Sequence, residues 1–157
     1  MLVLRRTAAA LGALAAAAVV VGAVLAFLTF GTGQPAVGPA ESPVARIIAS
    51  SMTAADAPAA FKDRPTFRSC GRVDLQQGAS VPAERIACLS ATPGEGRELI
   101  VVSRTADGDP IVRYFRTGPD LAGVEIFEDV TADRFGDDAW HHSFCRSGQI
   151  DQSGACA

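Results

Sequence analysis

Lysine is almost missing from this chain: of 14 basic residues only Lys62 is a lysine, the others being arginine. Histidine occurs only as the adjacent pair His141 and His142, and tryptophan and tyrosine occur once each, as Trp140 and Tyr114. No C-x-x-C pair is present, so neither a thioredoxin-like redox motif nor a zinc ribbon is indicated. No G-x-S-x-G is present, so there is no nucleophile elbow for a serine hydrolase. The acidic stretch "DVTADRFGDD" lacks the D-x-[DN]-x-[DN]-G spacing of a calcium loop. No cysteine precedes Cys70, which leaves no thiol near the N-terminal apolar run to carry a lipid. Positive charge is also scarce. Setting aside Arg5 and Arg6 leaves 12 basic against 17 acidic residues, a net charge of −5, which excludes an electrostatic footprint for nucleic acid or anionic lipid.

What the chain does have begins with a long apolar run. Residues 7–30 carry no charge and follow Arg5-Arg6. As a helix this run would be roughly 36 Å long, enough to cross a hydrocarbon core of about 30 Å. The arginine pair before it, with no basic residue after it until Arg46, predicts a cytoplasmic N-terminus and an extracytoplasmic remainder. Residues 1–30 are therefore expected to be a signal-anchor, a single transmembrane helix holding the protein in the cell membrane. One alternative is a cleaved signal and a secreted product, with a twin-arginine signal as one form of it, and the other is a buried helix of a soluble domain. Residues 31–65 read as a linker opening on "GTGQPAVGPA", with short helices after it. Ser42 followed by Pro43 predicts a helix over 43–52, which Ile47, Ile48 and Met52 could dock.

Four cysteines, Cys70, Cys88, Cys145 and Cys156, lie beyond the apolar run, and an even number in that setting predicts two disulfides. Three pairings satisfy the count. Cys70–Cys88 with Cys145–Cys156 is preferred because sequence-near pairs form most easily, and each closure of that size contributes roughly 3 kcal/mol.

Between and around the cysteines, 66–75, 97–103, 111–117, 124–130 and 139–145 read as strands. Ser80 and Pro82 start a helix that ends near Ala91. The order β-α-β-β-β-β over 66–157 predicts an α+β domain, an antiparallel sheet with one helix packed on it, compatible with a cystatin-like topology. Hairpins centred on Asp107 and Asp120 pair Val102 with Val112, Ile100 with Tyr114 and Tyr114 with Ile126. One face then carries Ile100, Val102, Val112, Tyr114, Val124 and Ile126 under the helix. The other carries Leu99, Val101, Ile111, Arg113, Phe115, Glu125 and Phe127. That second face is too apolar for bare solvent, so either the 43–63 segment or a binding partner covers it. Arg113 is expected to lie diagonally between Glu125 and Asp129 as a sheet salt bridge.

The densest chemistry is "DDAWHHSFC", residues 137–145. On a strand Trp140, His142 and Phe144 face one way and His141, Ser143 and Cys145 the other, so the two histidines cannot easily share a metal. No metal and no cofactor is expected, and no catalytic residue is assigned. The scattered carboxylates of 107–109 and 128–138 read as turn-forming and solvated. The function expected is binding, through the half-apolar sheet face, with an envelope protein as partner. The alternative is a small envelope hydrolase using His141 or His142 with Asp137 or Asp138, which would need a pocket converging on one such pair.

A set of local motifs carries a resemblance. Phe67-x-x-Cys70-Gly71, Ala87-Cys88-Leu89, Gly108-Asp109-Pro110-Ile111-Val112 followed by Tyr114 and Arg116, Val124-Glu125, Asp129-x-Thr131-x-Asp133-x-Phe135-Gly136, Trp140 and Cys145 are all present. Together they resemble an uncharacterised family of small secreted or membrane-anchored actinobacterial proteins, over about Phe67 to Cys156. The resemblance implies an independent extracytoplasmic domain with cysteines at these places, and no activity or site residue comes with it.

Overall fold

The computed structural model describes residues 41–91 and 94–157. The expected anchor and the "GTGQPAVGPA" stretch lie outside the described residues, and among the described residues no helix is long and apolar enough to cross a membrane. Glu41–Ala157 forms one compact unit.

The first helix, α1 (Pro43–Met52), starts where Ser42 and Pro43 predict: the Ser42 hydroxyl accepts from the Ala45 N–H at 3.2 Å, and proline occupies the first turn. A single turn, α2 (Ala59–Lys62), follows. Then come β1 (Arg68–Asp74), α3 (Ala83–Ser90), β2 (Arg97–Arg104), β3 (Pro110–Thr117), β4 (Val124–Asp129) and β5 (Trp140–Cys145). Pro82, rather than Ser80, is the cap residue of α3, and no side chain caps that end.

The five strands form one sheet in the order β1-β2-β3-β4-β5. The sheet is mixed, which corrects the expectation of a wholly antiparallel one and, with it, the cystatin-like comparison. β1 runs parallel to β2, and the other three pairs are antiparallel. The reason is the connection: α3 lies between β1 and β2, and a helical crossover returns the chain in its original direction, whereas a hairpin reverses it.

A second correction concerns which helix covers which face. α3 packs over Leu99, Val101, Phe115, Val124 and Ile126, together with Val73, Leu75 and Cys70 of the first-strand region. α1 and α2 pack over Ile100, Val102, Val112, Tyr114 and Phe127, with Ile48 and Phe61 fully buried between the layers. Both faces of the central strands are apolar, so alternation could not say which one the crossover helix takes; the handedness of a β-α-β unit decides it. Residues 41–65, read from the sequence as part of a 31–65 linker whose 43–63 segment could cover a sheet face, supply one of the three layers.

The first hairpin has the register the sequence predicts, Val102 opposite Val112 and Ile100 opposite Tyr114. The second differs by one residue: Tyr114 stands opposite Phe127, and Phe115 opposite Ile126. Its loop is 118–123, so its centre lies between Asp120 and Leu121 instead of on Asp120. Gly123 closes it with φ 107°, where an added Cβ would lie 2.1 Å from the Cys145 carbonyl oxygen. A one-residue change inverts every side chain of β4 relative to expectation, moving Phe127 beside Tyr114 and Ile126 beside Phe115.

β1 carries a comparable break. Ser69 pairs with Glu98 and Gly71 with Leu99, leaving Cys70 as the extra residue of a bulge. Strict alternation would turn Cys70 away from Val73 and Leu75. The bulge brings it onto their face, where it bonds to Cys88 of α3. The second disulfide, Cys145–Cys156, fastens the C-terminal loop to β5. Asp151 organises that loop, accepting from the Ser153 hydroxyl at 2.6 Å, the Ser153 N–H at 2.8 Å and the Ala155 N–H at 3.0 Å. These bonds hold its carboxyl below the usual carboxylate range.

Candidate functional site

The sheet face beneath α1 and α2 changes character toward one end. Glu98 of β2, Arg116 of β3, Glu125 of β4 and His142 of β5 follow one another across the strands, and Arg64 reaches them from the segment after α2. Arg64 Nε lies 3.2 Å from Glu98 Oε2, and so does Arg116 Nε. Arg116 donates to Glu125 Oε2 at 2.6 Å and to the Pro65 carbonyl at 2.7 Å. His142 Nε2 stands 3.1 Å from Glu125 Oε1. The Arg116 Nε approach to Glu98 is a charge contact without hydrogen-bond alignment, since that nitrogen has no hydrogen-bond partner. The charges alternate, so a guanidinium only 2 % exposed is neutralised on both sides. Burial of that kind costs several kcal/mol per ion unless each charge is paired and hydrogen-bonded. The array thereby fixes residues 64–67 to the sheet, with the Phe67 ring 4.3 Å from the Arg116 guanidinium carbon.

The His142 end of the array is the most exposed, while Arg64 and Glu98 at the other end are partly buried. The imidazole stacks on Phe127, with ring centres 4.3 Å apart and planes 9° apart, and Phe144 lies 5.0 Å beyond. His142 is therefore a histidine at the edge of the core among aromatics, as the alternation of β5 predicts. Its carboxylate partner is Glu125, not Asp137 or Asp138.

The seven residues expected to form one interaction face do not do so. Leu99, Val101 and Phe115 are buried beneath α3, and Ile111 is half-buried. Glu125 and Phe127 belong to the opposite face because of the β4 register, Phe127 being fully buried against Phe61. Arg113 meets Glu128 at 2.6 Å, not Glu125 and Asp129, for the same reason. The residues the sequence reading missed, Glu98 and Arg116, had no distinguishing local signal. They look like ordinary alternating charges until the register places them side by side.

His141 pairs with Asp137 at 3.2 Å, and both side chains are about half exposed. Neither histidine lines the cavity beside Ile47 and Asp129, the depression at Ala122 and Arg146 or the pocket at Arg113 and Gly154, and Ser143, two residues from His141, is exposed. Asp109 is occupied by Arg134 at 3.0 Å, and that hydrogen-bonded guanidinium holds its carboxyl below the ordinary value. Among the described residues no group of three or more His, Cys, Asp or Glu side chains is placed to hold a metal ion.

β5 is one edge of the sheet. Val130 N–H donates to the Ala139 carbonyl at 3.2 Å, which sets the phase of the antiparallel ladder. By alternation His141, Ser143 and Cys145 bond inward to β4, and the backbone groups of Trp140, His142 and Phe144 point outward. Among the described residues, nothing bonds to those outward groups. Residues 141–144 are exposed in succession, and Phe144 is 45 % exposed. Phe144 also lines, with Ala122 and Arg146, a surface depression of about 640 Å³. The other edge, β1, carries exposed Arg68 and Arg72 and its bulge, devices that discourage pairing. β5 has no acidic, lysine, arginine or proline side chain from Trp140 to Cys145.

No family model matches this chain, and no curated protein or solved structure matches it.

Proposed function

We propose that the protein is a membrane-tethered, extracytoplasmic binding domain that accepts an extended segment of another envelope protein as a sixth strand along β5. The observation carrying this reading is the unblunted outer edge of β5, with free backbone groups at Trp140, His142 and Phe144 and an exposed aromatic at its end. In strand addition, main-chain hydrogen bonds supply affinity and side-chain pockets supply specificity. The depression beside Phe144 would take an apolar side chain of the incoming strand. The two disulfides suit an oxidising compartment outside the cytoplasm. The apolar run of residues 7–30 would be the tether. Hydrolysis by a histidine–carboxylate pair finds less support, since His141 and Asp137 meet in open solvent.

Cross-linking in the native envelope, read by mass spectrometry, tests the reading. Phe144→Pro removes the aromatic and one outward N–H while sparing the inward bonds to β4, and it should abolish the captured partner. Phe135→Ser, at an aromatic 76 % exposed elsewhere, should leave capture intact. An unchanged partner list for Phe144→Pro, with both disulfides still formed, overturns the proposal.

A further inference from the structure

A second site lies away from the outer edge of β5. Between α1 and the adjoining ends of β3 and β4 is a cavity of about 150 Å³, lined by Ile47, Ser51, Ala54, Val112, Asp129 and Thr131 among others. Its walls are mostly apolar, yet Asp129, only 6 % exposed, borders it. One oxygen of that carboxylate, Oδ1, accepts from the Thr131 N–H at 3.1 Å and the Thr131 hydroxyl at 2.6 Å. The other, Oδ2, accepts from no described residue.

Buried charges are ordinarily paired, because an uncompensated one loses its hydration without return. The other buried charged residues follow that rule: Arg97 has Glu95, Arg116 has Glu98 and Glu125, and Glu125 has Arg116 and His142. Asp129 alone among the described buried charged residues forms no ion pair with an opposite charge, and no basic side chain lines its cavity.

We infer that this cavity binds a primary alkylammonium group, with the ammonium on Asp129 Oδ2 and the alkyl chain along Ile47, Ala54 and Val112. A lone carboxylate with hydroxyls nearby suits a cation that carries N–H donors. It offers too few oxygens for calcium, and no aromatic ring lines it to hold a quaternary ammonium. The Ser51 hydroxyl accepts from Tyr114 at 2.9 Å and keeps a lone pair for a second donor. The same chemistry occurs in a free alkylamine and in a lysine side chain of a protein.

The test is nuclear magnetic resonance titration of the full-length chain in neutral detergent, with n-butylammonium, n-butanol, butyrate and Nα-acetyl-lysine methylamide. Butylammonium should give saturable shifts at Ile47, Ser51, Ala54 and Thr131. Butanol should bind about ten- to a hundredfold more weakly, the worth of a charge-assisted hydrogen bond, and butyrate should not bind. Binding of the lysine derivative as well identifies a lysyl side chain as the ligand, and binding of butylammonium alone identifies a free amine. Asp129→Asn keeps an acceptor for Thr131 and should abolish the preference for the cation. Ala54→Leu should close the cavity without touching the carboxylate and abolish binding outright. Equal binding of butanol and butylammonium, undiminished binding by Asp129→Asn, or no saturation with either amine overturns the inference. Capture at β5 by Phe144 is a separate measurement, so failure of one leaves the other standing.

Discussion

Phe61→Ala is the substitution that most directly tests whether residues 41–65 belong to the fold. Phe61 is fully buried in α2 and packs edge-on against Tyr114 at 4.6 Å and Phe127 at 5.3 Å. Trp140 lies 4.6 Å from it, and the Arg64 guanidinium 3.6 Å above its ring. Truncating a buried phenylalanine costs about 3 to 5 kcal/mol, from lost transfer energy plus the cavity left behind. The upper half of that range applies here, because each aromatic pair adds about 0.5 to 1.5 kcal/mol beyond its area. Domains of this size are stable by only about 5 to 15 kcal/mol, so the loss is a large fraction of the total. With a urea m-value of about 2 kcal/mol/M, the unfolding midpoint should fall by about 2 M at unchanged m. The assay is equilibrium urea unfolding of the chain beginning at Glu41, followed by circular dichroism and by Trp140 fluorescence. A shift worth less than about 1 kcal/mol would refute the packing of α2 on the sheet, and 41–65 would then be a detachable stalk.

Two further outcomes follow from the same structure. Non-reducing peptide mapping should recover only Cys70–Cys88 and Cys145–Cys156. Replacing either pair with serine should cost about 2 to 4 kcal/mol in thermal or urea unfolding, and any other pairing would contradict the fold. Burial pushes the Tyr114 phenol up from 10 to about 12. Its neutral form is therefore favoured by folding: the contribution is full below pH 10 and is lost as pH rises from about 10 to 12, roughly 2 to 3 kcal/mol in all. Phenolate absorbance should report the raised titration, and Tyr114→Phe should flatten stability across that window; an ordinary titration near pH 10 would count against its burial.

Several elements were legible because their signals are local. Ser42-Pro43 announces α1, and β-branched residues announce β2. The first hairpin register follows from a short loop around Asp107 whose length leaves one pairing. The alternation of β5 correctly divides His142 from His141. Legibility fails where one residue of backbone geometry governs many side chains. The loop 118–123 shifts β4 by one position, and that shift dissolves the face expected from Leu99 to Phe127. The bulge at Cys70 likewise defeats strict alternation in β1, although the disulfide partner was still correctly preferred.

Composition and order alone determine that the chain has an apolar N-terminal run, an acidic remainder, four cysteines and one α+β unit, because each of these depends on residue type and near neighbours. Tertiary structure alone decides that α3 covers the Leu99 face and that α1 with α2 covers the Tyr114 face. It also gathers Glu98, Arg116, Glu125 and His142 into one array and leaves Asp129 without a counter-ion beside a cavity. The physical reason is that both faces of the central strands are equally apolar. Periodicity then carries no preference, and crossover handedness, loop closure and strand register choose between arrangements that the sequence leaves nearly equivalent.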